Sequence, residues 1–319
     1  MAASDGGGLD VRMAVRASRA YYIDQRSKIE IADELGISRF KVARLLEDAR
    51  TRGIVRIEVV EPAELVVALG ERLRARYGLT ETVIVTTGST PRDTLAALGR
   101  ATAALVTRRL RPGDVLGLGW GTAVAEVVDR LDLPGHPEPV DVAQMAGGFP
   151  ADDPAFNGTT LTLRAARALG GQPLLLHAPA VLASPDAWRM LTREPTIAKV
   201  IAAYDRVRVA VTGVGALRPS PASAIYRGGV LGDATTKQLA DAGVVGDAGC
   251  RFITADGVAV PSFDQRTSGM STEQVRNVEL RLGVAIGTAK LPAIQAALSS
   301  GLINALATDS HTAERLVQD

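Results

Sequence analysis

Hydrophobic residues recur every three or four positions in two neighbouring segments near the start of the chain. The first segment contains Ile31 and Leu35, and the second contains Val42, Leu45, Leu46 and Ala49. This spacing is typical of two amphipathic helices. Gly36 stands between them, where a turn between helices favours glycine because positive φ brings no Cβ clash. Ser38 is a good N-cap for the second helix. The pattern therefore predicts two short helices joined by a tight turn.

Such a pair is the helix-turn-helix arrangement, in which the second helix enters the major groove of DNA. Arginine can bond guanine through two hydrogen bonds, and phenylalanine can contact a thymine methyl group. Residues 38–56 carry six basic side chains against two acidic ones. The predicted DNA-contacting residues are Ser38, Arg39, Phe40, Lys41, Ala43 and Arg44. The alternative is an ordinary helical hairpin with a solvated basic face.

Flanking segments extend this unit. Residues 12–25 are predicted to form a preceding helix, and residues 53–60 a β-strand that resembles the wing of a winged helix. We therefore expect a DNA-binding domain at residues 1–60 and a larger domain at residues 61–319. The amphipathic segment at residues 63–77 is predicted to be a helix that serves as a linker or a dimer contact.

Short apolar runs alternate with amphipathic segments through the rest of the chain. This alternation predicts a mostly parallel sheet covered by helices on both faces, which is a doubly wound α/β fold. The predicted strands are residues 82–86, 114–118, 140–145, 174–177, 208–211, 281–286 and 305–308.

Composition narrows the class of protein. The chain has 319 residues and is 46% hydrophobic, which is enough for one small and one large domain. Its net charge is only +1, so the basic character is local, as in a specific regulator rather than a non-specific DNA coat. The single cysteine, Cys250, excludes an internal disulfide. We see no signal-peptide pattern and no apolar run of bilayer length, so we expect a cytoplasmic protein with no membrane partner.

Glycines follow the strand predicted at residues 114–118. Ligands of open α/β sheets bind beyond the carboxyl ends of the strands. A strand that runs into glycines and then a helix aims backbone N–H groups at an anion. The turn contains Gly119, Trp120, Gly121 and Thr122. It has neither the P-loop lysine nor a dinucleotide fingerprint, so a phosphate site and a tight turn without a ligand both stay open.

Other polar or glycine residues follow strands in the same sense. Gln144 and Gly147 come after one predicted strand, and Asn157 opens a helix. Asp247 can accept hydrogen bonds from sugar hydroxyls. Lys290 can meet a phosphate as a point charge, or it can be a solvated helix residue.

Catalytic and metal sites are poorly indicated. The histidines, His136, His177 and His311, are scattered and none lie at metal-ligand spacing. We therefore expect no enzyme, no metal and no cofactor. Two alternatives remain: a sugar-phosphate isomerase with an appended helical domain, for which Asp247 is the one plausible base, and a DNA-binding protein whose second domain only oligomerises.

The chain resembles the SorC-type (DeoR/SorC) sugar-responsive bacterial transcriptional regulators over nearly its whole length. The segments that carry the resemblance are residues 31–46, 117–122, 144–148, 243–252, 287–290 and 304–309. The resemblance implies an effector domain with the fold of phosphosugar isomerases but without their catalysis. It also implies a homo-oligomer, as a dimer or tetramer, that binds pseudo-palindromic operator DNA and responds to a sugar phosphate.

Residue roles follow from the same resemblance. It assigns the phosphate to Gly119, Gly121, Thr122 and Lys290, and the sugar hydroxyls to Gln144 and Asp247. Some relatives have a basic residue where this chain has Ala146. Its absence argues against a second phosphate and against a lysine Schiff base at that position. It leaves open an unphosphorylated sugar or polyol as the effector.

Overall fold

The structure is a computed structural model that describes residues 11–55, 57, 63–131, 139–149, 157–219, 223–226 and 231–318. The chain separates into two compact units, Met1–Val59 and Val60–Asp319. None of the helices within the described ranges is long and apolar enough to cross a membrane.

Three helices build the N-terminal unit: α1 (Val11–Ser18), α2 (Lys28–Leu35) and α3 (Arg39–Thr51), and α1 continues as a π-helical turn over Arg19–Ile23. A capping box starts α2. The Ser27 hydroxyl accepts from the Glu30 N–H, and the Glu30 carboxylate accepts from the Ser27 N–H at 2.8 Å. The Ser-X-X-Glu spacing is a readable sign of a helix start that the hydrophobic pattern alone misses.

The turn between α2 and α3 forms as its residues predict. Gly36 has a φ of +66°, and the Ile37 N–H donates to the Ala32 carbonyl at 3.0 Å. The Ser38 hydroxyl caps α3 by accepting from the Lys41 N–H at 3.2 Å. The predicted apolar residues are buried in one core: Ile31, Ala32, Val42, Leu45, Leu46 and Ala49. Leu35 packs against that core from a partly buried position.

The strand predicted at residues 53–60 lies largely outside the described residues. Residues 53–55 form the turn that ends α3. Gly53 has a φ of +70°, and the N–H groups of Ile54 and Val55 both donate to the Ala49 carbonyl. The prediction of a wing is therefore not tested beyond this turn.

The larger unit alternates helices and strands. Its helices are α4 (Ala63–Tyr77), α5 (Pro91–Arg109), α6 (Thr122–Val128), α7 (Gly158–Ala168), α8 (Pro185–Leu191), α9 (Pro195–Ala203), α10 (Asp233–Asp241), α11 (Pro261–Asp264), α12 (Thr272–Asn277), α13 (Leu291–Ser299) and α14 (Ser310–Gln318). Its strands are β1 (Glu81–Val85), β2 (Val115–Leu118), β3 (Val140–Gln144), β4 (Gly170–Leu174), β5 (Val207–Ala216), β6 (Val244–Ala248), β7 (Arg251–Thr254), β8 (Leu280–Val284) and β9 (Ala305–Asp309).

The strands form a sheet in the order β1-β9-β8-β5-β2-β3-β4, in which every neighbouring pair is parallel. The remaining two strands form an antiparallel hairpin. Its first strand, β6, pairs antiparallel with the end of β5, where Val214 lies opposite Ala248. The prediction of a mostly parallel sheet is confirmed.

Side chains alternate along each strand, so both faces of this sheet carry apolar side chains. Helices cover both faces. In β5, Val209 and Val211 pack in the same buried cluster as residues of α5, α6 and α7. Ala210 and Val214 of the same strand belong to the cluster formed with α4, α9, α13 and α14. The sheet is therefore buried on both sides, as expected of parallel strands.

Two strand predictions were misplaced. β4 lies at Gly170–Leu174 and not at residues 174–177, and His177 is exposed in the loop that follows. A Cβ at Gly171 would lie 1.9 Å from the Val140 carbonyl oxygen, so β4 begins with glycines that hide its apolar pattern. β5 runs on to Ala216 instead of ending at Val211.

Replacing Gly36 with alanine tests the turn of the N-terminal unit. Nothing lies within 4 Å of the added methyl group, so the change introduces only backbone strain at positive φ. We expect a loss of roughly 1–2 kcal/mol in the stability of this unit. Hydrogen exchange of the α2 and α3 amides in the full-length protein would measure it. Gly36→Asn is the control, because asparagine tolerates this conformation better; equal protection in Gly36→Ala and wild type would contradict the prediction.

Candidate functional site

The turn between β2 and α6 is shaped by close approach to β5. The Gly119 N–H donates to the Val211 carbonyl at 2.8 Å, and a Cβ at Gly119 would lie 2.7 Å from the Thr212 hydroxyl. Gly121 has a φ of +116° and precedes Thr122, the exposed first residue of α6. Glycine is therefore needed at both positions, at Gly119 to avoid a steric clash and at Gly121 to allow a positive φ.

Trp120 connects this turn to two other loops. Its ring packs edge-on against Phe149, with the ring centroids 5.1 Å apart. It also packs against the buried cluster that contains Cys250, in the turn between β6 and β7. Trp120 therefore holds the ends of β2, β3 and β6 together.

Asp247 is the buried carboxylate of the site. It lies in β6, where its side chain accepts a hydrogen bond from the Tyr226 hydroxyl at 2.7 Å and one from the Cys250 N–H at 3.2 Å. Burial raises the pKa of Asp247, and the two hydrogen bonds and the charge of Lys290 oppose this shift. No motif in the sequence links Tyr226 to Asp247, so this partner is not predictable from the sequence.

Lys290 lies beside Asp247 at the end of β5. Its ammonium group donates to the Val214 carbonyl at 2.9 Å. The loop that carries it is held by the end of β9 and by α14, because the Gly287 N–H donates to the Asp309 carboxylate at 3.0 Å and to the Thr312 hydroxyl at 2.9 Å. The structure thus brings the predicted cation and the predicted hydroxyl acceptor together.

Gln144 is held by the protein at both ends of its amide. The side-chain nitrogen donates to the Ala146 carbonyl at 2.8 Å, and the oxygen accepts from the Leu176 N–H at 3.3 Å. The residue is 1% exposed. These bonds give Gln144 a structural role in joining β3 to the loop after β4, and its predicted ligand role stays a prediction.

Asn157 and Gly147 also have structural explanations. The Asn157 side-chain oxygen accepts from the N–H groups of Thr159 and Thr160, which makes it the N-cap of α7. A Cβ at Gly147 would lie 2.3 Å from the Ser268 hydroxyl oxygen. Neither observation points to a ligand, and neither excludes one.

The parallel sheet explains why these residues meet. β8, β5, β2 and β3 are consecutive neighbours, so their carboxyl ends share one edge. The loops that follow β2, β3 and β8 and the end of β5 therefore converge there. The N–H groups of the glycine turn, the Asp247 carboxylate and the Lys290 ammonium suit a ligand that carries both an anion and hydroxyl groups.

The N-terminal unit presents a second candidate surface on α3. Phe40 is 87% exposed, which is unusual for a large apolar side chain. The surface also contains exposed Ser38, Arg39, Lys41 and Arg44, with half-buried Ala43 beside them. The opposite side of α3 supplies the buried core, so the cationic side faces solvent.

Comparison with known proteins identifies the family. Residues 61–318 match the Sugar-bind family model, which describes a sugar-binding domain. The deoxyribonucleoside regulator of Bacillus subtilis is 31% identical over 314 residues, covering 97% of this chain and 98% of that protein. The sorbitol operon regulator of Klebsiella pneumoniae is 29% identical over 312 residues, with the same coverage.

The chain belongs to the SorC family of transcriptional regulators. Structural comparison agrees, since the crystal structure of the full-length sorbitol operon regulator SorC from Klebsiella pneumoniae matches 98% of this chain and 100% of its own. The TM-score is 0.74 at 28% sequence identity. This SorC family chain therefore shares the architecture of a regulator along its whole length.

A cavity of about 240 Å³ lies at the opposite edge of the sheet of this SorC family member. It is lined by charged residues at the starts of β1, β5 and β8 and at the end of α5 with the loop that follows it, chiefly Glu81, Arg108, Arg109, Arg111, Arg208 and Glu279. Ion pairs join Arg109 to Glu81 and Arg208 to Glu279. Ion pairs therefore line this cavity, which lies at the amino ends of the strands and away from their carboxyl ends. Within the described ranges, no group of histidine, cysteine and acidic residues is placed to hold a metal ion.

Asp247→Asn tests the burial of this carboxylate. The native state keeps a proton on Asp247 at pH values where the unfolded chain, with an ordinary pKa of 3.8, has lost it. Wild-type stability therefore falls as the pH rises from 3.8 to the raised native pKa. The variant lacks this dependence, so its free energy of unfolding relative to wild type should rise by up to about 1.4 kcal/mol per pH unit in that window.

Chemical denaturation of both proteins between about pH 4 and pH 7 would measure the difference. A difference that does not change with pH would contradict the raised pKa of Asp247.

Proposed function

We propose that this SorC family regulator binds operator DNA through its N-terminal unit and that a sugar phosphate, sugar or polyol bound to its larger unit controls the affinity for DNA. The observation that carries the proposal is the meeting of Asp247, Lys290 and the glycine turn at one edge of the sheet. A hydroxyl acceptor, a cation and a set of N–H donors in one place fit a phosphorylated carbohydrate.

The DNA-binding half rests on α3. In a winged helix-turn-helix domain over residues 1–60, the exposed side of this helix enters the major groove. Arg39 and Phe40 read base edges near its start, together with Ala43 and Arg44, while Lys41 contacts phosphates. The Gly36 turn and the Ser38 cap support this arrangement, because they set the direction of α3.

The effector-binding half rests on residues 61–319, with a fold like that of the phosphosugar isomerases. The N–H groups of Gly121 and Thr122, together with the Lys290 ammonium, hold the phosphate, while the Gly119 N–H donates to the Val211 carbonyl and fixes the turn that presents them. Asp247 accepts from the sugar hydroxyls, with Gln144 as a second polar contact. Trp120, Gly147 and Asn157 line the same edge and complete the proposed effector-binding set.

The relatives support a polyhydroxylated ligand, since one is named for deoxyribonucleosides and another for sorbitol. The regulator works as a homo-oligomer, a dimer or tetramer, on a pseudo-palindromic operator. The effector changes operator affinity by a coupling free energy of about 1–3 kcal/mol. The isomerase alternative is not favoured, because the relatives that match nearly the whole chain are named as regulators.

Replacing Arg39 with alanine tests the DNA-binding half. If Arg39 bonds a base, the change should weaken operator binding by roughly 1–3 kcal/mol and relax the preference at one base pair. Fluorescence anisotropy with an operator selected from random duplexes would measure both effects. Arg50→Ala is the matched control. If Arg50 contacts a phosphate, its loss should lower the affinity for all DNA sequences alike and reduce the slope of log affinity against log salt concentration by about one. Unchanged binding by Arg39→Ala would remove it from the interface.

A thermal-shift screen of sugars, polyols and their phosphates tests the effector half, since a ligand stabilises by RT ln(1 + [L]/Kd). Lys290→Gln should lower the affinity for phosphorylated compounds about tenfold, because the phosphate loses its cation. The affinity for unphosphorylated polyols should stay unchanged. Lys237→Gln is the control, since Lys237 is exposed on α10 and pairs with Asp241.

Stabilisation of wild type by none of the compounds would overturn the effector half and favour a purely oligomerising domain. Turnover of ribose or glucosamine phosphates by purified protein would favour the enzyme alternative.

A further inference from the structure

Two donors of the chain hold the Asp247 carboxylate, one on each oxygen. The Tyr226 hydroxyl donates to Oδ1 at 2.7 Å, and the Cys250 N–H donates to Oδ2 at 3.2 Å. Tyr226 and Asp247 are both almost fully buried, at 6% exposure each. Since a buried hydrogen bond to a charged group is stronger than one at the surface, these donors fix the orientation of the carboxylate plane.

The occupied positions determine what the carboxylate can still accept. A carboxylate has about four acceptor positions, two on each oxygen. Among the described residues, one donor fills a position on each oxygen, which leaves a second position on each. Two neighbouring hydroxyl groups of a carbohydrate match this arrangement, because each can donate to a different oxygen.

The surrounding backbone is built to allow this geometry. A Cβ at Gly215 would lie 2.0 Å from Oδ1 of Asp247, so β5 must carry glycine opposite the carboxylate. Gly249 and Cys250 both have positive φ, at 59° and 62°. A left-handed conformation costs a non-glycine residue roughly 1–2 kcal/mol. At Cys250 it occurs in the residue whose N–H reaches Oδ2.

We propose that Tyr226 is a positioning residue of the effector site, which holds Asp247 so that each carboxylate oxygen accepts a hydroxyl from a vicinal diol of the ligand. This assignment rests on the proposed function of the site. Tyr226 acts through Asp247 and touches no phosphate. Its removal therefore affects recognition of the carbohydrate and spares recognition of the anion.

Tyr226→Phe tests this role with two classes of probe. The carbohydrate probes are ribose 5-phosphate and sorbitol 6-phosphate, which both carry vicinal hydroxyl groups, and the anion probe is inorganic phosphate. The affinity for the carbohydrate phosphate that binds wild type best should fall about tenfold. The affinity for inorganic phosphate should stay unchanged. Tyr77→Phe is the matched control, because its hydroxyl also donates to the chain, at the Leu316 carbonyl, but lies away from Asp247.

The pH dependence of carbohydrate binding separates positioning from simple packing. The groups that face Asp247 are Tyr226, Cys250 and Lys290, and Arg251 acts on Cys250. The Tyr226 hydroxyl stabilises the ionised carboxylate, so its loss raises the pKa of Asp247 further. The fall in affinity on acidification should therefore begin at a higher pH in Tyr226→Phe than in wild type.

The outcomes are distinct. Weaker carbohydrate binding with unchanged phosphate binding and a shifted pH profile supports the assignment. An equal loss of affinity for both classes of probe overturns it. Wild-type affinity together with a wild-type pH profile overturns it as well. If wild type binds none of the carbohydrate phosphates, or if Asp247→Asn binds them as wild type does, the proposed site itself is wrong and the assignment falls with it.

Discussion

Parallel pairing of β8, β5, β2 and β3 is the constraint from which the ligand edge follows. Parallel strands end on the same side, so the loops after them must converge. Glycine 119 then allows the turn after β2 to contact Thr212 of β5, and Gly215 allows Asp247 to approach the end of the same strand. The chemistry of the edge depends on these close contacts, because any side chain at either glycine would push the polar groups apart.

Much of this fold is predictable from the sequence because local patterns and tertiary packing agree. Gly36 and Ser38 specify the turn and cap that the structure contains, and the apolar spacing of α3 matches its buried side. The prediction misplaces β4 because the strand begins with two glycines that bury no side chain: Gly170 has a φ of +67°, and Gly171 lies close to the Val140 carbonyl. An apolar pattern carries no information about such contacts.

The candidate site was predictable only in part, for a related reason. Lys290 is predictable from its position after a strand. Asp247 lies within β6, and the antiparallel pairing of β6 with the end of β5 brings it to Lys290. Tyr226 lies in a short helical turn outside the sheet, so its contact with Asp247 depends on tertiary structure alone. Gln144 and Asn157 were selected by the same rule of position, but their side chains make structural hydrogen bonds.

The buried polar groups at this edge of the sheet also affect how a ligand can control the protein. An effector shifts an equilibrium only by its difference in affinity for the two states. Asp247 is buried, and Trp120 of the glycine turn packs against the cluster that contains Cys250, whose N–H binds Asp247. A ligand whose hydroxyl groups donate to Asp247 and whose anion accepts hydrogen bonds from the N–H groups of the turn therefore contacts several strand ends at once. Its binding energy then depends on their spacing, so a state of the protein with a different spacing binds it less tightly.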